Sequence, residues 1–559
     1  MAPTFVGVPS VYPKLLELRK SKTASFKPNP YLKETTKLRY YQVIGSLHMM
    51  LLRRMVLGDA TGIGKTAESI AAYCFTLVDE PELKLLVVCQ KSAIFQWAEE
   101  FSKFTQGISV RVITNEYQGF TGSTARKMQY QQFNENVLIL GYATLLNEYE
   151  QIKSVLGSKY MIVFDECCAF KNRKSQTFFA CSQIAESADR VYGLSATIIK
   201  NTLEEVYGIY AVIVPGLFGN ITGFKKTYCK EKLMELRIKG KKRFIPKTIG
   251  YKNLAQFKSV LDPYFLIRKK EEVASELPKL ISRKIILEME PEQKKIYKDA
   301  LSGILYEERI KREFYEIFDR IRNGDTNEKT MEIYNKRKEK YDKYLTEDGK
   351  KRGKLAAITY CQMVSNGPAL VKQSGESSKD IEFLRLMKEE LVGEKVICFT
   401  RFKSGIPNLE IICERNNISF TKITGDLDDK DRTKARLKFQ EDPNCSVIFI
   451  TTAGSASINL QSAGVIIFFD TPWSYGDLVQ TIGRAQRIGS IQDHILIIHL
   501  INKGTIDVRV MNRVTDKKDL SDEILGDTAE GALDFTANED NAVDDLFSEI
   551  LKDAERIDG

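Results

Sequence analysis

Two short stretches of this chain carry residue types and spacings that could do chemistry. The first, "RRMVLGDATGIGKTAESIAAY" (53–73), reads as a strand, a glycine-containing turn and a helix. Gly62 and Gly64, with Thr61 and Ile63 between and before them, allow a tight loop. The amides of such a loop and the N-terminus of the following helix can hold a triphosphate. Lys65 then meets the β and γ phosphates, and the Thr66 hydroxyl is placed to ligate Mg²⁺. The strict GxxxxGK[ST] spacing is not kept: Asp59 stands where its first glycine belongs, and it is counted with the loop as a nucleotide-contacting candidate.

The second stretch, "YMIVFDECCAF" (160–170), sets two carboxylates and two thiols after an apolar run. A phosphate-binding loop needs a carboxylate at the end of a neighbouring strand to hold Mg²⁺ through its waters, and a second group to orient an attacking water. Asp165 is assigned the first role and Glu166 the second, with Cys167 and Cys168 as small residues behind the pair. A thiol nucleophile would need a basic partner, and no histidine is near in sequence. Farther on, "VQTIGRAQRIGS" (479–490) places Gln480, Arg484 and Arg487 at spacings of four and three, one helical face. Arginines at that position can face a phosphate bound by the other half of the chain.

Buried strands must carry these groups. "LLVVCQ", "VLIL", "MIVFDE" and "RVYGLSAT" form one set, and "KVICFT", "SVIFITT", "GVIIFFD" and "HILIIHL" a second, after residue 390. Short continuous apolar runs alternating with amphipathic stretches, such as "SAIFQWAEEFSKF" and "DRTKARLKFQ", predict an α/β fold with a parallel sheet in each half. Between the halves the sequence turns charged, tyrosine-rich and helical in period, which predicts a helical insertion protruding from the lobes. The expected organisation is an N-terminal extension (1–37), a first lobe (38–277), the helical insertion (278–375), a second lobe (376–518) and an acidic, mobile tail (519–559).

Composition narrows the classes. The 559 residues include 43% hydrophobic and 28% charged types, with no apolar run long enough to span a bilayer and no signal-peptide core at the start. A soluble, intracellular protein without membrane contact is expected. Ten scattered cysteines with no CxxC, and three dispersed histidines, argue against a disulfide scaffold and a structural zinc site and for a reducing compartment. The net charge of +9 hides an asymmetry: residues 519–559 hold 14 acidic residues against Lys552 and Arg556. The body is therefore strongly basic, which suggests nucleic acid as partner.

At this point the residues resemble the Swi/Snf-type ATPases of helicase superfamily two, from about Leu38 to Val514. "LRYYQVIG" resembles the adenine-reading segment, with Gln42 as its glutamine, "GDATGIGKT" the phosphate loop, and "DECC" the DEAH-type box. "GLSAT", with Ser195 and Thr197, is similar to the motif that links hydrolysis to DNA movement. "TTAGSASINLQSA", with Thr451 and Asn459, and "DTPWSYGDLVQTIGRAQRIGS" resemble the second lobe's segments. Ser455 and Ser457 stand where the family has glycines, and Cys168 where the box has histidine. The resemblance implies two RecA-like lobes with ATP and Mg²⁺ between them, Arg484 and Arg487 facing the phosphates, and Asn459 in a coupling segment. It implies a DNA-dependent ATPase that translocates along duplex DNA with little sequence preference. Alternatives are a helicase that unwinds or branch-migrates DNA with the helices of 280–355 as a wedge, and an ATP-gated DNA clamp with little turnover. A bacterial or phage-infected cytoplasm is the preferred setting, a nucleus if the source is eukaryotic. The acidic tail is expected to cover the DNA groove or to dock a basic protein partner.

Overall fold

The computed structural model describes residues 8–514, except 197, 199–201, 239–240, 269–272, 274–276, 346, 453–457, 474, 488–489 and 513. The expectations placed on Thr197, Ser455, Ser457 and the acidic tail lie outside the described residues.

The first lobe is built on β1 (Arg54–Leu57), β2 (Lys84–Cys89) and β3 (Val110–Val112), a minimal hairpin β4 (Glu116–Tyr117) and β5 (Phe120–Thr121), then β6 (Val137–Gly141), β7 (Tyr160–Asp165) and β8 (Arg190–Leu194). A second hairpin, β9 (Cys229–Ile238) and β10 (Lys241–Tyr251), precedes the short β11 (Phe265–Leu266). Seven strands pair in the order β11-β1-β8-β7-β2-β6-β3, all parallel. Period two explains why these strands read as unbroken apolar runs. In β2, Leu86 and Val88 enter one buried layer with Leu138, Leu140, Ile162 and Phe164. Leu85, Val87 and Cys89 enter the opposite layer with Val137, Ile139, Met161 and Val163. Helices cover both faces, so both sets of side chains must be apolar.

The second lobe repeats this plan with β12 (Lys279–Leu287), β13 (Val396–Phe399), β14 (Phe420–Ile423), β15 (Val447–Ile450), β16 (Val465–Phe468) and β17 (His494–Asn502). Its parallel order is β12-β17-β16-β13-β15-β14. The position of β12 corrects the boundary drawn from sequence. Residues 279–287, assigned there to the helical insertion, form an edge strand of the second sheet, with Lys279 opposite His494 and Leu287 opposite Asn502. Its charge-interrupted "KLISRKIIL" becomes a strand because β17, more than two hundred residues away in sequence, supplies the hydrogen-bonding partner.

The insertion is helical as expected: Pro291–Leu301, Ile304–Arg322, Glu328–Tyr344 and Glu347–Asn366. Gly303, at φ 82°, breaks the first pair. The insertion belongs to the second lobe. Ile296, Tyr297, Cys361 and Val364 share a core with Ile506, Val510 and Val514. Below that core the buried Lys379 pairs with Asp507 at 2.8 Å, and Asn366 Nδ2 donates to Asp470 at 2.6 Å. Among the described residues, no helix is long and apolar enough to cross a membrane.

Candidate nucleotide-binding site between the lobes

The C-terminal ends of β1, β7 and β8 converge, and in parallel sheets ligands bind at such ends. After β1 the chain makes its turn with Gly62 at φ 84° and Gly64 at φ 103°, and the helix Lys65–Leu77 starts at once. A Cβ on Gly64 would lie 2.3 Å from Gln42 Nε2, so only glycine lets the loop close against that amide. Gln42 Nε2 and Tyr41 Oη both donate to the Ile63 carbonyl, at 3.0 and 3.1 Å, and Gln42 Oε1 accepts from the Arg39 amide. The segment resembling the adenine reader is thus attached to the back of the loop. Lys65 Nζ donates to the carbonyls of Asp59 and Ala60 at 2.7 and 3.3 Å. Thr66 follows it in the first turn of the helix.

Asp59 is placed otherwise than expected. Its carboxylate is fully buried and bound by the Arg268 guanidinium, whose Nε lies 3.0 Å from Oδ1. The same guanidinium reaches Glu68 Oε2 at 2.7 Å and donates to the Tyr41 carbonyl. Asp59 therefore braces the loop from behind, and its carboxylate is committed to Arg268. A side chain rather than a glycine stands here because the ion pair needs it. Burial pushes the Glu68 carboxyl well up, against the charge of Arg268. Arg268 was missed in the sequence reading, since nothing local marks one arginine in "YFLIRKK" as the partner of two acids two hundred residues away.

Asp165 ends β7, and its Oδ2 accepts the indole N–H of Trp97 at 2.9 Å. Tyr142 Oη donates to the Asp165 carbonyl at 2.8 Å. Glu166 follows in the left-handed region at φ 52°, rare for a non-glycine residue and found where the surrounding structure holds a side chain in place. Its Oε2 lies 3.4 Å from Ser195 Oγ, and its Oε1 lies 3.4 Å from Gln480 Nε2 of the second lobe. One carboxylate thus touches the "GLSAT" segment and the opposite lobe together. Cys167 is fully buried, and burial holds its thiol well above its ordinary range, as a packing residue requires. Cys168 Sγ lies 3.5 Å from Ser195 Oγ.

The helix Tyr475–Ala485 brings Gln480 and Arg484 to the same cleft. Arg487, two residues beyond it, donates through Nε to the Gly483 carbonyl at 3.0 Å. Contact across the cleft is close. A Cβ on Gly483 would sit 2.3 Å from Thr61 Oγ1, and one on Gly62 2.7 Å from the Gln486 carbonyl. Asn459 lies beside this group: the amide of the next residue, Leu460, donates to the Arg484 carbonyl at 2.9 Å. Thr451 is buried just beyond the end of β15.

The electrostatics fit a magnesium polyphosphate. Burial pushes down the pKa values of Lys65, Arg484 and Arg487, the last also through the charge of Arg484, and all three cations face Asp165, with Glu166 beside Lys65 and Arg484. Burial and the neighbouring Glu166 raise Asp165 to about 6, against the opposing effects of the Trp97 hydrogen bond and the Lys65 charge. Thr61 Oγ1 and Arg484 Nε are buried without a hydrogen-bond partner. A triphosphate would satisfy the cations and these two donors, and Mg²⁺ would satisfy Asp165.

The sequence also matches known families. Residues 39–345 match the SNF2-related domain, and residues 378–489 match the Helicase conserved C-terminal domain. An "Uncharacterized ATP-dependent helicase" of Mycoplasma pneumoniae is 26% identical over 505 residues, covering 88% of this chain and 42% of that protein. The "ISWI chromatin-remodeling complex ATPase ISW2" of Saccharomyces cerevisiae is 25% identical over 543 residues, 93% of this chain and 44% of that one. The match therefore spans less than half the length of either relative. A solved Sulfolobus solfataricus SWI2/SNF2 ATPase core in complex with dsDNA is 24% identical with a TM-score of 0.38, covering 89% of this chain and 93% of that chain. With a phosphate loop, an acidic pair and a facing arginine helix in two parallel-sheet lobes, and a family match over more than half its length, the chain belongs to the SNF2-related family of Swi/Snf-type, helicase-like ATPases.

Proposed function

We propose that this protein hydrolyses ATP in response to DNA and uses the cycle to move its two lobes along a duplex. The observation that carries the reading is the position of Glu166, within reach of Ser195 in its own lobe and of Gln480 in the other. A water-orienting group held by both lobes ties turnover to closure of the cleft. Lys65, the loop amides and Thr61 bind the phosphates, Thr66 and Asp165 hold Mg²⁺, and Arg484 and Arg487 neutralise charge that develops on the transferred phosphoryl group. Mg²⁺ held by Thr66 and Asp165 would supply positive charge against the phosphates. Glu166 orients the water and accepts its proton. Ser195, Thr451 and Asn459 relay closure to the DNA-facing segments.

DNA as the track is supported by the basic body and by the names of the relatives, an ATP-dependent helicase and a chromatin-remodeling ATPase. Phosphate contacts dominate such binding, so affinity falls steeply with salt and depends little on sequence. All ten cysteines are buried and unbridged, which suits a reducing compartment. The acidic tail is proposed to shield the DNA groove or dock a basic partner.

The test is steady-state ATP hydrolysis by the purified protein and its Glu166→Gln variant, without nucleic acid and with single-stranded DNA, duplex DNA, a branched junction or RNA. Duplex should stimulate turnover, and the variant should lose roughly 10²- to 10⁴-fold while still binding ATP. Negligible turnover of the wild type under every condition, with ATP and DNA bound, would leave a gated clamp.

A further inference from the structure

Outside the nucleotide cleft, the hairpin of β9 and β10 has no role in the fold described so far. Among the described residues it pairs with neither lobe's sheet and forms a separate two-stranded ribbon, ten residues on one strand and eleven on the other. Such ribbons are marginal in water without a face packed on something else. Its sequence makes matters worse. Residues 229–251 contain eight lysines and arginines against Glu231 and Glu235, and Lys225, Lys226 and Lys252 flank them. The register sets like charges opposite each other, Lys232 across from Lys247 and Arg237 across from Lys242. Directly opposed like charges destabilise a sheet. Lys230 and Lys232 are exposed and meet no carboxylate among the described residues, and Leu233 beside them is 65% exposed. A ribbon that accumulates repelling cations is stabilised by a polyanion laid along it.

The root of the ribbon is fixed to the catalytic lobe at an informative place. Tyr251 Oη accepts from the Leu203 amide at 3.0 Å and donates to Glu204 Oε2 at 3.2 Å, while Thr248 Oγ1 donates to Glu204 Oε1 at 2.8 Å. The Lys252 amide closes the base on the Tyr228 carbonyl at 2.9 Å. Leu203 and Glu204 begin the helix that follows the "GLSAT" segment, whose Ser195 lies against Glu166. The ribbon is therefore anchored to the first helix beyond the segment that senses the catalytic carboxylate.

We infer that the β9–β10 ribbon is a phosphate-gripping arm for duplex DNA, anchored by Tyr251 so that its grip follows the state of the nucleotide cleft. The inference rests on the DNA reading above and adds a contact element to it. Charge complementarity selects the duplex backbone: the sequence of residues 229–251 carries eight cations against two acids, and a duplex offers evenly spaced phosphates along its length.

The full-length protein tests this with two charge variants, Lys241→Ala/Lys242→Ala/Arg243→Ala and, on the other strand, Lys230→Ala/Lys232→Ala. Binding to a fluorescent 30-base-pair duplex and to a matched single-stranded RNA is measured across a salt series, and melting temperature checks folding. The triple variant should bind duplex roughly ten-fold more weakly, with a salt slope smaller by about 2 to 3, and the double variant should shift the same way by less. Triple substitution by arginine and lysine in place of alanine (Lys241→Arg/Lys242→Arg/Arg243→Lys) should bind as wild type. Tyr251→Phe should keep duplex affinity and lose several-fold of the DNA-stimulated turnover. Unchanged affinity and slope in both charge variants, with the wild type still stimulated by duplex, would overturn the arm and leave the DNA reading standing. Loss confined to RNA would overturn the choice of duplex, and full stimulation in Tyr251→Phe would overturn the anchoring. A wild type that neither binds nor responds to DNA would overturn the proposed function itself.

Discussion

Trp97 shows how much one side chain adds to a motif that does not contain it. Its indole N–H donates to Asp165 Oδ2 at 2.9 Å and so restrains the orientation of that carboxylate. Trp97→Phe keeps the ring and removes the donor. Groups that orient metal-binding carboxylates are worth about 10- to 100-fold in metal affinity. The Mn²⁺ affinity of the ATP complex, read by electron paramagnetic resonance, should fall by roughly 10-fold, with the melting temperature little changed; an unaltered Mn²⁺ affinity would make Trp97 a packing residue only. His499 gives a second prediction. Its ring stacks on Phe468 with centroids 5.0 Å apart, Nδ1 is buried without a partner, and burial with the charge of Lys284 lowers its pKa to about 4. The unfolded chain, near 6.5, binds the proton first, so this group's contribution is complete above about pH 6.5 and is lost as pH falls toward 4. Its share of the loss by pH 5 is about 2 kcal/mol. His499→Phe cannot take up that proton. Its stability relative to wild type should therefore improve by about that amount between pH 7 and pH 5 in urea denaturation. A difference independent of pH would refute the assignment.

Among the elements, the phosphate loop depends on a brace that its own sequence does not contain. Arg268, just after β11, binds Asp59 in the loop, Glu68 in the following helix and the Tyr41 carbonyl in the helix before it. Three segments are set by one guanidinium. Both acids are fully buried, so removing the cation leaves uncompensated charge in the interior, which costs about 3–5 kcal/mol. Arg268→Met should lower the denaturation midpoint of the first lobe and weaken ATP binding together. Adding Asp59→Asn and Glu68→Gln should return much of the stability, because neutral amides need no counter-ion. If the single variant melts like wild type, the brace is not structural.

Across the whole molecule, the candidate site is assembled from both lobes where they meet, with Gln480 reaching Glu166 across the cleft. Gly483 permits that meeting: a methyl group there would press within 2.3 Å of Thr61 Oγ1. Gly483→Ala should leave ATP binding by the first lobe intact while holding the cleft ajar. Displacements near 1 Å can cost about 10²-fold in rate, so turnover should fall on that order, with and without DNA. Equal turnover would mean that the reactive state is more open than the arrangement described. The insertion is packed onto the second lobe, since its core includes Ile506, Val510 and Val514.

The candidate site was legible in sequence because its parts are local. A glycine loop before a helix, an acidic pair after an apolar strand and arginines at helical spacing need only neighbours in the chain to be recognised. The two parallel sheets were legible as well, since positions covered on both faces of a sheet must be apolar, as Leu85–Cys89 of β2 and all of β15 are. What only the tertiary structure decided involves partners far apart in sequence: Asp59 committed to Arg268, Trp97 on Asp165, β12 paired with β17, and the insertion joined to the second lobe. The physical reason is the same in each case. A buried charge, a lone indole donor or a charge-interrupted strand is stabilised by a specific group brought to it by folding, and local pattern carries no record of which distant group that is.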